Sequence, residues 1–261
     1  MVSLGSCFSQ AIGNRLRDGG VDIDVTPMGI LFNPLSIALI LKRAVEGIFF
    51  TDNDLYLDRQ GIYHALSFES KRQHADAGAL LDDINRDFAN FRNAVLRADT
   101  WLITFGTAWC FRHFSTDCIV GNCHKLPDNE FERFLCSVDN IVETWSPLVE
   151  KSPRVIFTVS PVRHLNDGLH GNTLSKSRLH LAIETLCDRF PNAEYFPAYE
   201  ALNDDLRDYR FYADDMKHPS SVAEEYIFDL FCARYFNKID RSNIENELRK
   251  QLRELHRPII R

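Results

Sequence analysis

The chain has 261 residues, 45% hydrophobic and 26% charged, a balance that supports a sizeable core and excludes a disordered chain. Its 30 lysines and arginines against 37 acids give a net charge of −7, which argues against nucleic acid as the main partner. No apolar run approaches the roughly 18 residues of a membrane span. The N-terminal Met-Val-Ser-Leu-Gly has neither the basic region nor the long apolar stretch of a signal peptide. A cytoplasmic location is therefore expected, with an export signal lost by truncation as the alternative. The seven cysteines, an odd number scattered along the chain, read as reduced thiols rather than a disulfide framework.

In chain order, Val2 to Leu4 reads as a short buried strand ending at Gly5, and Ser9 to Leu16 as a helix stopped by Gly19-Gly20. Val21 to Val25 alternates in the period-two pattern of a strand. Asn33-Pro34 opens a helix through about Gly47, with proline just inside its start. Thr51 to Ser70 is a small β excursion around Gln60-Gly61. Ala77 to Ala98 is a long helix with Leu80, Ile84, Phe88, Phe91 and Val95 on one stripe. Trp101 to Phe105 is an apolar strand, and Ala108 to Val120 a hairpin around Ser115-Thr116-Asp117. Phe131 to Val149 is predicted helical, Arg154 to Val159 a buried strand, and Leu174 to Phe190 helical. Glu194 to Phe196 is a short strand, and Ser221 to Tyr235 the last core helix.

Strands near residues 2, 22, 102, 155 and 195, separated by helices, predict an α/β fold: a three-layer α/β/α sandwich around a mainly parallel sheet. This unit spans residues 1–236. The tail, 237–261, carries +3 against −10 for the rest, with Ile244, Leu248, Leu252 and Leu255 on one stripe. It reads as a surface helix packed on its own domain, or else as a homo-oligomer contact.

In an open parallel sheet, ligands bind beyond the carboxyl ends of the strands. The polar residues expected there are Gly5, Ser6 and Cys7 after the first strand, Gly29 and Asn33 after the second, Gly106 and Thr107 after the third, and Ser160, Arg163 and His164 after the fourth. The final loop brings Asp214, Asp215, His218 and Ser220. Gly-Ser-Cys before a helix presents a side chain where backbone N–H groups and the helix dipole favour a thiolate, alkoxide or oxyanion. Such a site is expected to lower the Cys7 thiol pKa. In Asp215-Met216-Lys217-His218 the acid orients the imidazole while its other nitrogen takes the nucleophile's proton.

These segments resemble the GSCFA family, named for an N-terminal Gly-Ser-Cys-Phe-Ala motif and itself similar to the SGNH (GDSL-like) hydrolases. The matching stretches are Leu4 to Phe8, Pro27 to Pro34, Gly106 to Trp109, Asn122 to Lys125, Thr158 to Gly168 and Asp214 to Ser220. The family's fifth letter is Ser9 here. Against the superfamily's Gly-Asp-Ser block, Ser6 takes the aspartate position and Cys7 the serine position. The resemblance thus implies Cys7 as nucleophile, with Ser6 as the alternative. The third-block Gly-x-Asn-Asp is Gly106-Thr107-Ala108-Trp109, so its oxyanion-hole asparagine is absent; Asn122 or Asn33 would replace it, and Gly29 would be the second-block glycine.

The reading is an ester hydrolase or acyltransferase working through a covalent acyl-enzyme, with Cys7 or Ser6, Asp215 and His218 catalytic. Gly29, Asn33, Gly106, Asn122, Arg163 and His164 serve the oxyanion or the substrate. That substrate is a small-molecule or glycan ester, carbohydrate O-acetyl esters being the class the superfamily implies. No cofactor is expected. Cys110, His113, Cys118, Cys123 and His124 offer zinc-type ligands, but Cys123 and His124 are adjacent and extended neighbours point to opposite faces, so no metal is assigned. No phosphate-binding glycine loop is present. The alternative function is a binding protein that keeps the fold without the reaction.

Overall fold

Six consecutive residues, Thr100–Phe105, are all buried, and they form the middle of the protein in a computed structural model that describes residues 1–255. This strand is β6 of the eleven among the described residues. The others are β1 (Val2–Gly5), β2 (Asp24–Val25), β3 (Tyr56–Leu57), β4 (Tyr63–His64), β5 (Gln73–His74), β7 (Trp109–His113), β8 (Cys118–Val120), β9 (Phe131–Leu135), β10 (Arg154–Val159) and β11 (Ala193–Tyr195). The α-helices are α1 (Cys7–Asp18), α2 (Pro34–Glu46), α3 (Ala77–Arg97), α4 (Val138–Lys151), α5 (Gly168–Arg189), α6 (Ala198–Glu200), α7 (Ser221–Tyr235) and α8 (Lys238–Leu255). The central sheet runs β11-β10-β6-β1-β2 and every pairing in it is parallel.

Alternation along the strands divides the core into two layers. Trp101, Ile103 and Phe105 of β6 join Val155, Phe157 and Val159 of β10 on one face, under α2 to α5. Leu102 and Ile156 point to the other face, under α1, α7 and α8. The three-layer α/β/α sandwich follows. Among the described residues no helix is long and apolar enough to cross a membrane.

Several boundaries differ from the sequence reading. The predicted helix from Phe131 divides, because Ser137 caps α4 by accepting from the Asn140 N–H. The residues before it become β9, paired antiparallel with β7 so that Arg133 faces Phe111. Val21 is not in β2: its N–H closes onto Leu16 O at the end of α1, leaving only Asp24–Val25 paired. β11 ends one residue before Phe196, and α5 begins at Gly168, where glycines at 168 and 171 mask the helix in the sequence. The excursion after residue 51 gains a third strand, β5, and forms a separate antiparallel sheet beside β8-β7-β9.

The tail helix lies on its own domain. Ile244 is buried with the α1 and α7 side chains, Leu248 packs at the margin of that cluster, and Leu252 is exposed. The side chain of Leu255 and residues 256–261 lie outside the described residues, as does that part of the predicted tail.

Candidate active site

The carboxyl ends of β1, β6 and β10 open into a cleft of about 600 Å³, lined among others by Ser6, Cys7, Asn33, Thr107, His164 and His218. Residues from both ends of the chain thus meet at one sheet edge, as an open parallel sheet dictates.

Gly5 makes the turn. Its φ is +135°, and a Cβ there would lie 2.1 Å from Thr104 O. Ser6 is the N-cap of α1, yet its side chain makes no capping bond; its Oγ is buried without any hydrogen-bond partner. Cys7 follows as the first helical residue, half-buried. Burial pushes its thiol up. The Phe8 and Cys7 amides draw it down, Glu224 opposes them and Lys176 assists them. Burial prevails, so the depressed thiol pKa expected from the helix terminus does not arise.

The loop before α7 carries the acid–imidazole pair. Asp215 Oδ2 lies 2.5 Å from His218 Nδ1, and Oδ1 accepts from the N–H groups of Lys217 and His218 at 2.9 and 3.0 Å. These three bonds hold the Asp215 carboxyl far below the usual carboxylate range. Asp214 is exposed. The other ring nitrogen, His218 Nε2, has no protein partner among the described residues, and His218 lines the cleft together with Cys7 and Ser6.

The remaining sequence candidates separate. Asn33 lines the cleft; its Oδ1 caps α2 through the Ser36 N–H at 2.8 Å, while Nδ2 reaches Val120 O at 3.4 Å. Asn122 does not line it: its Oδ1 accepts from the His124 N–H, and the neighbouring Gly121 reaches the cleft instead. Gly29 stands away from the cleft, and its N–H donates to Thr26 O at 2.8 Å within its own turn, so it has no donor for an oxyanion. Gly106 supports from behind, its N–H bound to Phe32 O and its carbonyl to Lys176.

Arg163 lines the cleft with its guanidinium 4.0 Å from the Tyr212 ring centroid. His164 also faces the cleft. Burial, then Lys176 and His218, push its pKa down to about 4, and its Nε2 is buried without a partner. The five zinc-type residues do not converge: Cys110 donates to Ala108 O at 3.7 Å, His113 bonds Thr116, and His124 lies against His64. Among the described residues no cluster of three or more such side chains suits a metal, and all seven cysteines are free of disulfides.

Two features escape the sequence reading. The outer wall of the cleft is Trp109 and Phe111 with Arg133, whose guanidinium lies 3.9 Å from the Trp109 ring centroid and pairs with Asp167. Assigning Phe131 onward to a helix hid this wall. The second is Lys176, on α5 and 2% exposed, donating to Gly106 O and Ser160 O at 2.6 Å each. Its signal is present: Lys176 lies three and seven residues before Leu179 and Ile183, on the apolar stripe of α5.

A parallel α/β/α protein with a Gly-Ser-Cys turn and an aspartate–histidine pair at the carboxyl edge of its sheet is the class this arrangement defines. The chain matches the GSCFA family over residues 1–231 and belongs to it. Comparison with curated proteins and with solved structures finds no match.

Proposed function

We propose that the chain is an SGNH-like ester hydrolase or acyltransferase that works through a covalent acyl-enzyme. The observation that carries this reading is the Asp215–His218 pair opening into the same cleft as Cys7 at the start of α1. Cys7 Sγ attacks the ester carbonyl carbon, and its proton passes to His218 Nε2. As the tetrahedral intermediate collapses, the carbon–oxygen bond breaks and His218 returns the proton to the leaving alkoxide. Water, or an acceptor alcohol, then releases the acyl group by the reverse sequence. Asp215 fixes the imidazole tautomer and stabilises the imidazolium.

With the Cys7 thiol raised by burial, the thiol form predominates and His218 takes its proton during attack. The Cys7 backbone N–H and Asn33 Nδ2 are the proposed oxyanion donors, Asn33 being preferred to Asn122 because it lines the cleft. Loss of such a donor costs about 3–4 kcal/mol in comparable enzymes. Carbohydrate O-acyl esters are the proposed substrates, with Trp109 and Phe111 as the wall for the sugar. Residues 1–236 are read as the unit that carries the site, 237–261 as its helical tail, and the cytoplasm as its location.

The test is intact-mass analysis after exposure to p-nitrophenyl acetate, followed by peptide mapping. Acetylation at Cys7, or at Ser6, supports the acyl-enzyme. An unmodified chain favours the second reading, a binding protein, for which the raised thiol and the missing third-block asparagine speak.

A further inference from the structure

Lys176, on α5, carries a fully buried ammonium, and its surroundings are specific. Its Nζ donates to Gly106 O, just past β6, and to Ser160 O, just past β10, both at 2.6 Å. Its neighbour Ser175 ties down the same loop: Ser175 Oγ accepts from the Ala108 N–H at 2.7 Å and lies 3.0 Å from Thr107 Oγ1. Gly106 in turn backs the nucleophile turn, since a Cβ at that position would come within 3.4 Å of Ser6 Cβ. The lysine therefore holds the floor on which Ser6, the residue before Cys7, rests.

Burying a charge costs several kcal/mol, and two carbonyls are served equally well by a neutral donor. A cation earns its place where a counter-charge forms. Its ionisable and aromatic neighbours are Cys7 on α1, His164 after β10, His180 on α5 and Tyr199 on α6, with no carboxylate paired to Lys176 among the described residues. Of these only Cys7 becomes an anion that raises the ammonium's pKa, against burial that brings it down to about 7. Cys7 faces in addition Glu224 of α7, which opposes its ionisation, while His218 adjoins Glu224 and His164.

We infer that Lys176 is the positioning residue of this site: it pins the ends of β6 and β10 behind Cys7 and is the cation against which the Cys7 thiolate forms. This rests on Cys7 as the reacting group, as proposed above. Two groups so placed titrate as a pair. Loss of the first proton leaves either neutral amine with thiol, or ammonium with thiolate, and the second form supplies a small thiolate fraction that saturates once that proton is gone.

The test is the rate of Cys7 alkylation by iodoacetamide against pH, read by peptide mass, so it needs no esterase activity. In the wild-type chain the rate is expected to climb to a shoulder near pH 7 and rise again above the ordinary thiol range of about 8.5. In Lys176→Gln, which keeps an N–H donor but no charge, and in Lys176→Met, the shoulder should vanish. Alkylation at pH 7 should then fall by about tenfold, the equivalent of one pKa unit. A folded Lys176→Gln whose profile superimposes on the wild type overturns the inference. If neither variant folds, the wild-type profile decides alone, since a single rise above the thiol range with no shoulder overturns it as well. Failure of p-nitrophenyl acetate to acylate Cys7 or Ser6 removes the hydrolase reading and leaves this profile intact.

Discussion

Asp215 and His218, three residues apart in one turn, meet side chain to side chain at 2.5 Å, and the same carboxylate accepts the backbone N–H of His218. Asp215→Asn is therefore expected to separate mechanism from fold. The amide oxygen can still accept from the Lys217 and His218 N–H groups, so thermal unfolding should be nearly unchanged. Turnover should drop about 10³- to 10⁴-fold, because the amide supports the wrong imidazole tautomer. Asp214→Asn should be mild. Lost stability with unchanged activity per folded molecule would instead assign Asp215 a structural role.

The nucleophile is tested by ranking two variants. Cys7→Ala should abolish acyl transfer to the chain, while Ser6→Ala costs less. Ser6 Oγ is buried without a partner, so its removal should leave stability unchanged or slightly higher. The opposite activity ranking transfers the role to Ser6.

Much of this geometry is legible in the residue order. β6 and β10 are mostly apolar, with Trp101 to Ile103 and Val155 to Phe157 as unbroken runs, and the motif-bearing turns fall at their ends, so the edge that carries the cleft follows from the strand pattern. What escaped depends on long-range partners. Phe131 to Val149 has apolar spacing that a helix would use, and only the Ser137 cap and the pairing of Arg133 against Phe111 make its first residues a strand. Lys176 lies on the apolar stripe of α5, but nothing in the residue order shows the two strand-end carbonyls that receive it. The start of α1 advertises a low thiol pKa, but the burial that reverses it comes from elsewhere in the chain.

Arg133 should bear on stability and binding together. It pairs with Asp167, whose side chain is 5% exposed, and covers Trp109. Arg133→Ala leaves that carboxylate unpaired and is expected to cost about 1–3 kcal/mol in denaturant unfolding. Arg133→Lys should rescue only part, since an ammonium lacks the planar face that stacks on the indole. A rise in KM larger than the fall in kcat would mark the wall as substrate-binding.

Acid should weaken the fold through its buried histidines. His164 and His124 are each pushed down to about 4, chiefly by burial, against about 6.5 in an unfolded chain. Between those values the unfolded state binds more protons, so stability falls as pH drops from about 6.5 toward 4 and is unaffected by these groups above that window. Wild-type unfolding midpoints should fall more steeply across the window than those of His164→Gln or His124→Gln. Parallel pH profiles for the wild type and both variants would show that neither ring is held neutral by the fold.

The turn that presents Cys7 depends on the absence of a side chain at Gly5. An alanine Cβ would sit 2.1 Å from Thr104 O and 2.9 Å from the Thr104 carbonyl carbon, both backbone atoms of the central strand, and φ of +135° is foreign to L-residues. Neither β1 nor β6 can yield, because they are paired along their lengths with Gly5 opposite Thr104. Gly5→Ala is expected to cost roughly 3 kcal/mol or more, a fall of about 10 °C in Tm for a chain of this size. Gly106→Ala offers the contrast. Its Cβ would approach Phe32 O at 3.1 Å and Ser6 Cβ at 3.4 Å, distances met by shifts of a few tenths of an ångström. Stability should suffer less there, while the push falls on Ser6 and thereby on Cys7. Thermal unfolding and esterase turnover measured on both variants should place Gly5→Ala among folding defects and Gly106→Ala among activity defects. Equal loss of stability in the two would mean that the floor beneath Ser6 is as rigid as the sheet itself.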